Sequence, residues 1–242
     1  FFADLAKRAP APRVIGYDLE TALFSDYTVK QRFIYVPAGA TAKYDASKAF
    51  DFPVGSALIK TFGYGEGASF KPLETRLLLR RASGWVAIPY VWNAEGNDAV
   101  VKRAGTRLAV SFTDPSGQPR QISYAVPNQN QCKDCHALAG QIAPIGAKAR
   151  YLNHGGQLQK LVAAGLLDHA PADAPRVARW DDVTAPLDAN QALSLHDYSW
   201  PFPGEDNTTR MVAYDAAAKR LNSPQWVGEF GQSTYADVQK YV

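Results

Sequence analysis

Two consecutive runs decide the fold: Leu73-Glu74-Thr75-Arg76-Leu77-Leu78-Leu79 and Trp85-Val86-Ala87-Ile88-Pro89-Tyr90-Val91-Trp92. The turn signal Ala82-Ser83-Gly84 separates them. β-Branched and aromatic residues are frequent in strands, and a short connection that contains Gly is typical of a hairpin. The sequence therefore predicts two antiparallel neighbours here.

The same strand-like sequence pattern extends on both sides of this hairpin, from about Thr28 to Val126. Short runs of β-branched and apolar residues alternate with Gly, Pro and Asn, which favour turns. The further predicted strands are Gln31–Val36, Ser56–Phe62, Arg107–Phe112 and Gln121–Tyr124. Strands at this spacing predict an antiparallel β-sandwich or barrel of about six to eight strands.

The residue composition changes after Pro127. Residues 137–167 are rich in Ala, Leu, Gln and Lys, and the helical spacing of 157–162 stops at Gly165. We therefore expect an α+β protein with a β-rich domain at 1–127 and a small helical segment with an extended linker at 128–190. The remaining segment, 191–242, is of uncertain status, with a strand-like start, a helix near 208–221 and a strand at 225–228 predicted within it.

Composition excludes several classes of protein. Hydrophobic residues make up 46% of the 242 residues and charged residues 20%, which is typical of a folded chain. No apolar run reaches the roughly 18 residues that a membrane span needs. Residues 1–127 hold 16 Lys and Arg against 11 Asp and Glu, without the dense basic stripe of a nucleic-acid binder. This excess would favour an acidic redox partner protein.

The most specific motif is Cys132-Lys133-Asp134-Cys135-His136, the C-x-x-C-H pattern of covalent c-type haem attachment. Two thiols three positions apart on a helical turn can reach the two vinyl groups of one porphyrin, and the next residue can give the iron a proximal imidazole. Cys132 and Cys135 are the only cysteines, so the sequence predicts one covalent haem c with His136 as its iron ligand.

Two other functions of a C-x-x-C pair have different requirements. A thioredoxin-type redox pair needs a strand-to-helix junction in a βαβ unit, whereas this pair follows the polar loop 128–131. A structural zinc site would need His136 and one more histidine, for which the candidates are His154, His169 and His196.

The distal side of the iron is left open by the sequence. The candidate distal ligands are His154, which a small helical unit could fold over the haem, and Met211, the only methionine; His169 is also near in sequence. An iron without a sixth ligand would favour small-molecule chemistry or sensing over electron transfer alone.

Residues 20–188 resemble a family of exported bacterial di-haem c-type cytochromes of poorly defined role. The matching stretches are Phe52–Phe62, Glu74–Leu77, Tyr90–Asn93, Tyr124–His136, Pro144–Asn153 and Gly156–Leu158. The resemblance implies a periplasmic or surface electron carrier with haem held by Cys132, Cys135 and His136. The family has a second C-x-x-C-H after the linker and this sequence has none, so we expect one haem.

The tail is similar to a different family. Ser194–Tyr198 and Pro224–Gly231 resemble the sixth and seventh strands of family 5 glycoside hydrolases, which implies that Glu229 is a nucleophile and that His196 and Tyr198 line a sugar site. A retaining enzyme also needs a second carboxylate as general acid, and no Asn-Glu-Pro-like acid occurs upstream.

We therefore expect an electron-transfer cytochrome rather than an enzyme, located in the periplasm or outside the cell. The alternatives are a retaining glycoside hydrolase with Glu229 as nucleophile and a non-catalytic binding module that uses haem only structurally.

Overall fold

A computed structural model describes residues 1–177, apart from Ala22 and Ser116, and two further strands at Leu193–Leu195 and Gln225–Val227. The chain divides into two compact units, Phe1–Val177 and Ala178–Val242.

The first unit is built on a six-stranded antiparallel sheet. Its strands pair in chain order, each with the next. They are β3 (Val14–Tyr17), β4 (Val29–Tyr35), β5 (Ala57–Tyr64), β6 (Lys71–Arg81), β7 (Gly84–Trp92) and β8 (Ala99–Val101). A two-stranded ribbon of β1 (Phe2–Asp4) and β2 (Ala9–Pro10) precedes the sheet. The hairpin predicted at residues 73–92 is confirmed as β6 and β7.

A separate antiparallel hairpin follows, made of β9 (Thr106–Thr113) and β10 (Pro119–Val126). Alternate residues of β9 are exposed, so this hairpin has one solvent-exposed face and one packed face. The packed face brings Tyr124 and Val126 against Val91 of the sheet. All six strands predicted from the sequence are present, and the α+β class with a β-rich N-terminal region is confirmed.

Within residues 128–177, which the structure describes, there are three short helices: α1 (Cys132–His136), α2 (Ala149–Leu152) and α3 (Gln157–Ala163). The predicted helix at residues 157–162 is therefore confirmed. Residues 137–148 are less helical than expected, because β11 (Ala137–Leu138) and β12 (Gln141–Ile142) form a small hairpin there. The part of the expected linker that the structure describes, residues 170–177, contains neither helix nor strand.

One hydrophobic core joins the sheet to this helical segment. The sheet contributes Ile34, Leu58, Leu78 and Ala87, and the segment contributes Cys132, Ala149, Leu152, Leu158 and Leu161. The expected boundary near residue 127 is thus a change of secondary structure inside a single compact unit, since both sides lose apolar surface to the same core.

The second unit is described only at its two strands, β13 (Leu193–Leu195) and β14 (Gln225–Val227), which pair in parallel. The strand predicted at 225–228 is confirmed over 225–227. The helix predicted near 208–221 and the candidate residues His196, Tyr198, Met211 and Glu229 lie outside the described residues. In the part of the chain that the structure describes, no helix is both long enough and apolar enough to span a bilayer.

Candidate haem site

The polar loop before α1 is held by its own side chains. The carboxamide oxygen of Asn128 accepts the backbone N–H groups of Asn130 and Gln131, each at 2.9 Å, and the Gln131 side chain accepts the Asn128 N–H at 2.9 Å. Gly105 lies against this loop with a φ of +72°, a conformation that favours glycine, and a Cβ there would stand 2.6 Å from the Val126 carbonyl oxygen. The loop therefore delivers α1 at a fixed position beside the sheet.

Cys132 and Cys135 lie on one turn of helix, three positions apart, which places them on the same side of α1. Both are free thiols. Cys132 is 7% exposed and belongs to the main core, whereas Cys135 is exposed. Burial raises the pKa of Cys132, and the charge of Arg76 opposes that effect. Cys132 is therefore buried in the core, whereas Cys135 is accessible at the surface.

His136 is oriented by the hairpin that follows it. Its Nδ1 lies 3.2 Å from the carbonyl oxygen of Ala143, and the Ala143 N–H donates to the His136 carbonyl at 2.7 Å. A carbonyl oxygen can only accept, so the proton of this bond sits on Nδ1 and Nε2 keeps its lone pair. Burial lowers the pKa of His136, and the charges of Lys60 and Arg76 lower it further. The neutral imidazole is the form that binds a metal.

The sheet beside α1 carries a buried polar cluster that the sequence analysis did not single out. Glu74 is fully buried and accepts from the Tyr124 hydroxyl at 2.7 Å and from Arg76 Nε at 2.9 Å. The alternation of the strand could have revealed this cluster. Glu74, Arg76 and Leu78 are two positions apart along β6, so all three project from the same, inward-facing side of the sheet. A charged residue on an inward face is rare without a partner or a function.

Two of the histidines named as further ligands, His154 and His169, already have partners. His154 precedes α3, with Nδ1 3.4 Å from Glu20 Oε2 and Nε2 2.8 Å from Gln157 Nε2. His169 pairs with Asp168 at 3.1 Å and is exposed. The structure thus places both nitrogens of His154 in other contacts, and a distal role would require that they be broken.

Among residues 1–177 that the structure describes, no three His, Cys, Asp or Glu side chains converge as metal ligands. A zinc site made by Cys132, Cys135 and His136 needs such convergence. A c-type haem does not, because the sulfurs bond to the porphyrin and one histidine reaches the iron. A thioredoxin-type pair also lacks its context here, since α1 follows an antiparallel hairpin.

Comparison with family models, with curated proteins and with solved structures finds no match for this chain.

Proposed function

We propose that the chain carries one covalently attached haem c and transfers electrons in the bacterial periplasm or at the cell surface. The observation that carries this proposal is the arrangement of α1: two thiols one turn apart, followed directly by a histidine whose Nδ1 is engaged with Ala143 and whose Nε2 has no hydrogen-bond partner among the described residues. A backbone carbonyl that accepts from the nitrogen not bound to the metal is a usual partner of a metal-binding histidine, because it fixes the ring and raises its basicity.

Cys132 and Cys135 would hold the porphyrin. Each thiol would add across a vinyl double bond, so that sulfur bonds to one carbon and the thiol hydrogen goes to the other, with no net oxidation. The buried Cys132 ties the group to the main core, and the exposed Cys135 leaves one edge at the surface. His136 would supply its Nε2 lone pair to the iron. When bound, the haem supplies one-electron oxidation and reduction.

The surface near α1 supports a protein as redox partner. Leu138, two residues after His136, is 64% exposed, beside the exposed Cys135. The Lys and Arg excess of residues 1–127 would attract an acidic partner and speed encounter at low ionic strength. Periplasmic or surface location is part of this proposal, because the resemblance is to exported cytochromes.

The test is expression of the full chain in a host with a c-type cytochrome maturation system. Haem that stays with the polypeptide on a denaturing gel, and an oxidised-minus-reduced visible spectrum of c type, are the expected results. Replacing Cys132 and Cys135 together by Ser should abolish the stain. His136→Ala should lower the yield of attached haem and change the spectrum of what remains.

Lys133→Ala and Asp134→Ala are the matched controls, because both residues lie inside the same motif and are exposed. They should retain the haem stain. A wild-type chain without covalent haem would end the proposal. Covalent haem that no donor protein or dithionite reduces would instead indicate a binding module that uses haem structurally.

A glycoside hydrolase is kept as a second candidate because of one observation. Strands β13 and β14 pair in parallel, as successive strands of a (β/α)8 barrel do. In the sequence, Glu229 follows β14 by two positions, and barrel enzymes carry their site residues after the strands. Turnover of an aryl glycoside that is lost in Glu229→Gln would support this function, and no turnover would remove it.

A further inference from the structure

A row of three cations crosses the sheet face that α1 approaches. In the strand register, Arg32 of β4 lies directly opposite Lys60 of β5, and Lys60 lies directly opposite Arg76 of β6. Directly opposed residues of an antiparallel pair project from the same face. We call these three residues the cationic row. Like charges in directly opposed positions destabilise a sheet, so this row costs stability unless an anion neutralises it.

The row lies next to the apolar layer that contains Cys132. Each of its residues is two positions along its strand from a member of that layer: Arg32 from Ile34, Lys60 from Leu58 and Arg76 from Leu78. Two strand residues span about 7 Å. The row therefore lies directly beside the part of the core into which α1 inserts Cys132.

Arg32 shows that the row is incompletely satisfied. Its side chain is buried, with the residue 4% exposed, and its Nη1 donates to Asp18 Oδ1 at 2.9 Å. Its Nε and Nη2 are buried without a hydrogen-bond partner among the described residues. A buried unpaired donor on a charged group costs more than a neutral one. This guanidinium thus presents two unused donors in the fork geometry that suits a carboxylate.

Lys60 lacks a carboxylate partner as well. No Asp or Glu of the described residues lies within ion-pair distance of its ammonium, which instead lies 4.7 Å from the centre of the Phe62 ring. Arg76 is the compensated member, since it binds Glu74. The Phe62 ring is shared, because Arg76 Cζ lies 4.3 Å from its centre. An aromatic face offsets part of the cost of burying a cation.

We propose that Arg32 and Lys60, with Arg76 beside them, bind the two propionate carboxylates of the haem attached at Cys132 and Cys135. This proposal rests on the proposed function and extends it to a part of the molecule outside the C-x-x-C-H motif. The propionates occupy the porphyrin edge away from the vinyl carbons, so a group anchored at α1 can present them to the neighbouring row. Two carboxylates would satisfy the free donors of Arg32 and the unpaired ammonium of Lys60.

The test measures the reduction potential of the haem-loaded full chain. Arg32→Met and Lys60→Met should each lower the potential, because loss of a cation leaves a propionate charge that favours the oxidised iron. The expected effect is about a tenfold lower ratio of reduced to oxidised haem at a fixed applied potential, or about 59 mV for one electron. Arg32→Lys keeps the charge and should retain most of the wild-type potential.

Lys71→Met is the matched control, since Lys71 is an exposed cation of β6 outside the row. It should leave the potential unchanged. Haem-stained Arg32→Met and Lys60→Met proteins with the wild-type potential would overturn the propionate assignment and leave the cytochrome proposal standing. A wild-type chain without covalent haem would overturn both. A lowered potential that appears only in phosphate buffer would show that the row binds an adventitious ion only, which also overturns the assignment.

The wild-type protein gives an independent measurement in case a variant does not fold. Its resonance Raman spectrum contains the propionate bending bands, whose frequency depends on hydrogen bonding of the carboxylates. Bands at the frequency of hydrogen-bonded propionates are expected. Bands at the frequency of free, solvated propionates would overturn the assignment whatever the variants do.

Discussion

The two faces of the six-stranded sheet differ in how completely their polar side chains are hydrogen-bonded. On the face that carries Ile59 and Leu77, which we call the neutral face, Thr61 and Thr75 bond to each other at 2.7 Å and Trp92 Nε1 donates to Thr75 at 2.8 Å. On the face that carries the cationic row, Arg32 keeps unused donors. These polar groups of the neutral face hydrogen-bond to one another, whereas the other face holds a buried charge that folding alone does not require. Such a buried charge points to a ligand.

The largest effect that this contrast predicts is on the neutral face. Ile59→Ala should lower the free energy of unfolding by about 2–5 kcal/mol, since Ile59 is fully buried and a cavity would remain. Urea unfolding followed by tryptophan fluorescence measures it. The exposed Val100 is the matched control, and Val100→Ala should change stability by less than about 0.5 kcal/mol. A loss below about 1 kcal/mol for Ile59→Ala would mean that this face is not a packed core.

The next effect concerns the residue beside Ile59 on the opposite face. Burial, with the charges of Arg32 and Arg76, lowers the pKa of Lys60 from 10.5 to about 7 in the haem-free chain. Between these values the unfolded state binds the extra proton, so the free energy of unfolding should rise with pH from about 7 to about 10.5. The rise should be on the order of 2 kcal/mol after allowance for partial exposure.

The measurement is a series of urea titrations of haem-free protein at several pH values, with Lys60→Met as the comparison, which should flatten the rise. The charged and titratable groups that act on Lys60 are Lys30 and Arg32 of β4, Glu74 and Arg76 of β6, and His136 of α1. Equal pH profiles for wild type and Lys60→Met would show that Lys60 is not the titrating group.

A smaller effect is expected at the β9–β10 hairpin, which packs Tyr124 against the sheet beside Glu74. Tyr124→Phe removes the hydroxyl that donates to the buried Glu74, and should lower the free energy of unfolding by about 1–3 kcal/mol. Burial first, and then Glu74, raises the pKa of Tyr124, so the hydroxyl stays protonated at neutral pH. Tyr90→Phe on the neutral face is the control with a near-neutral effect. Thermal unfolding of the two variants, measured side by side, tests whether Tyr124→Phe is the more destabilising.

The smallest effect falls on the loop that holds α1 against the sheet. Asn128→Ala removes the oxygen that accepts two backbone N–H groups, and should cost about 1 kcal/mol and lower the yield of covalent haem. Asn128→Asp keeps that oxygen and should retain both stability and yield. Similar haem yields for the Ala and Asp variants would show that this turn does not position α1.

The strands were predictable because each one is decided locally. The runs at 73–79 and 85–92 are rich in β-branched, aromatic and aliphatic residues and are cut by Gly84, so their pattern specifies both strands and their turn. The stretch at 137–148 was less predictable. Its Ala and Leu content favours helix, but the bonds between His136 and Ala143 fold it back as a hairpin. Such contacts across seven residues override a weak local propensity.

The sequence by itself determined the antiparallel β-rich plan and the proposed anchors Cys132, Cys135 and His136, because both depend on spacing within a few residues. Only the tertiary structure decided which partners surround them. Arg32, Lys60 and Arg76 are far apart in the sequence, and the register of three strands brings them side by side. Register is set by the whole buried pattern of a sheet, so a row built across strands is visible only after the chain has folded.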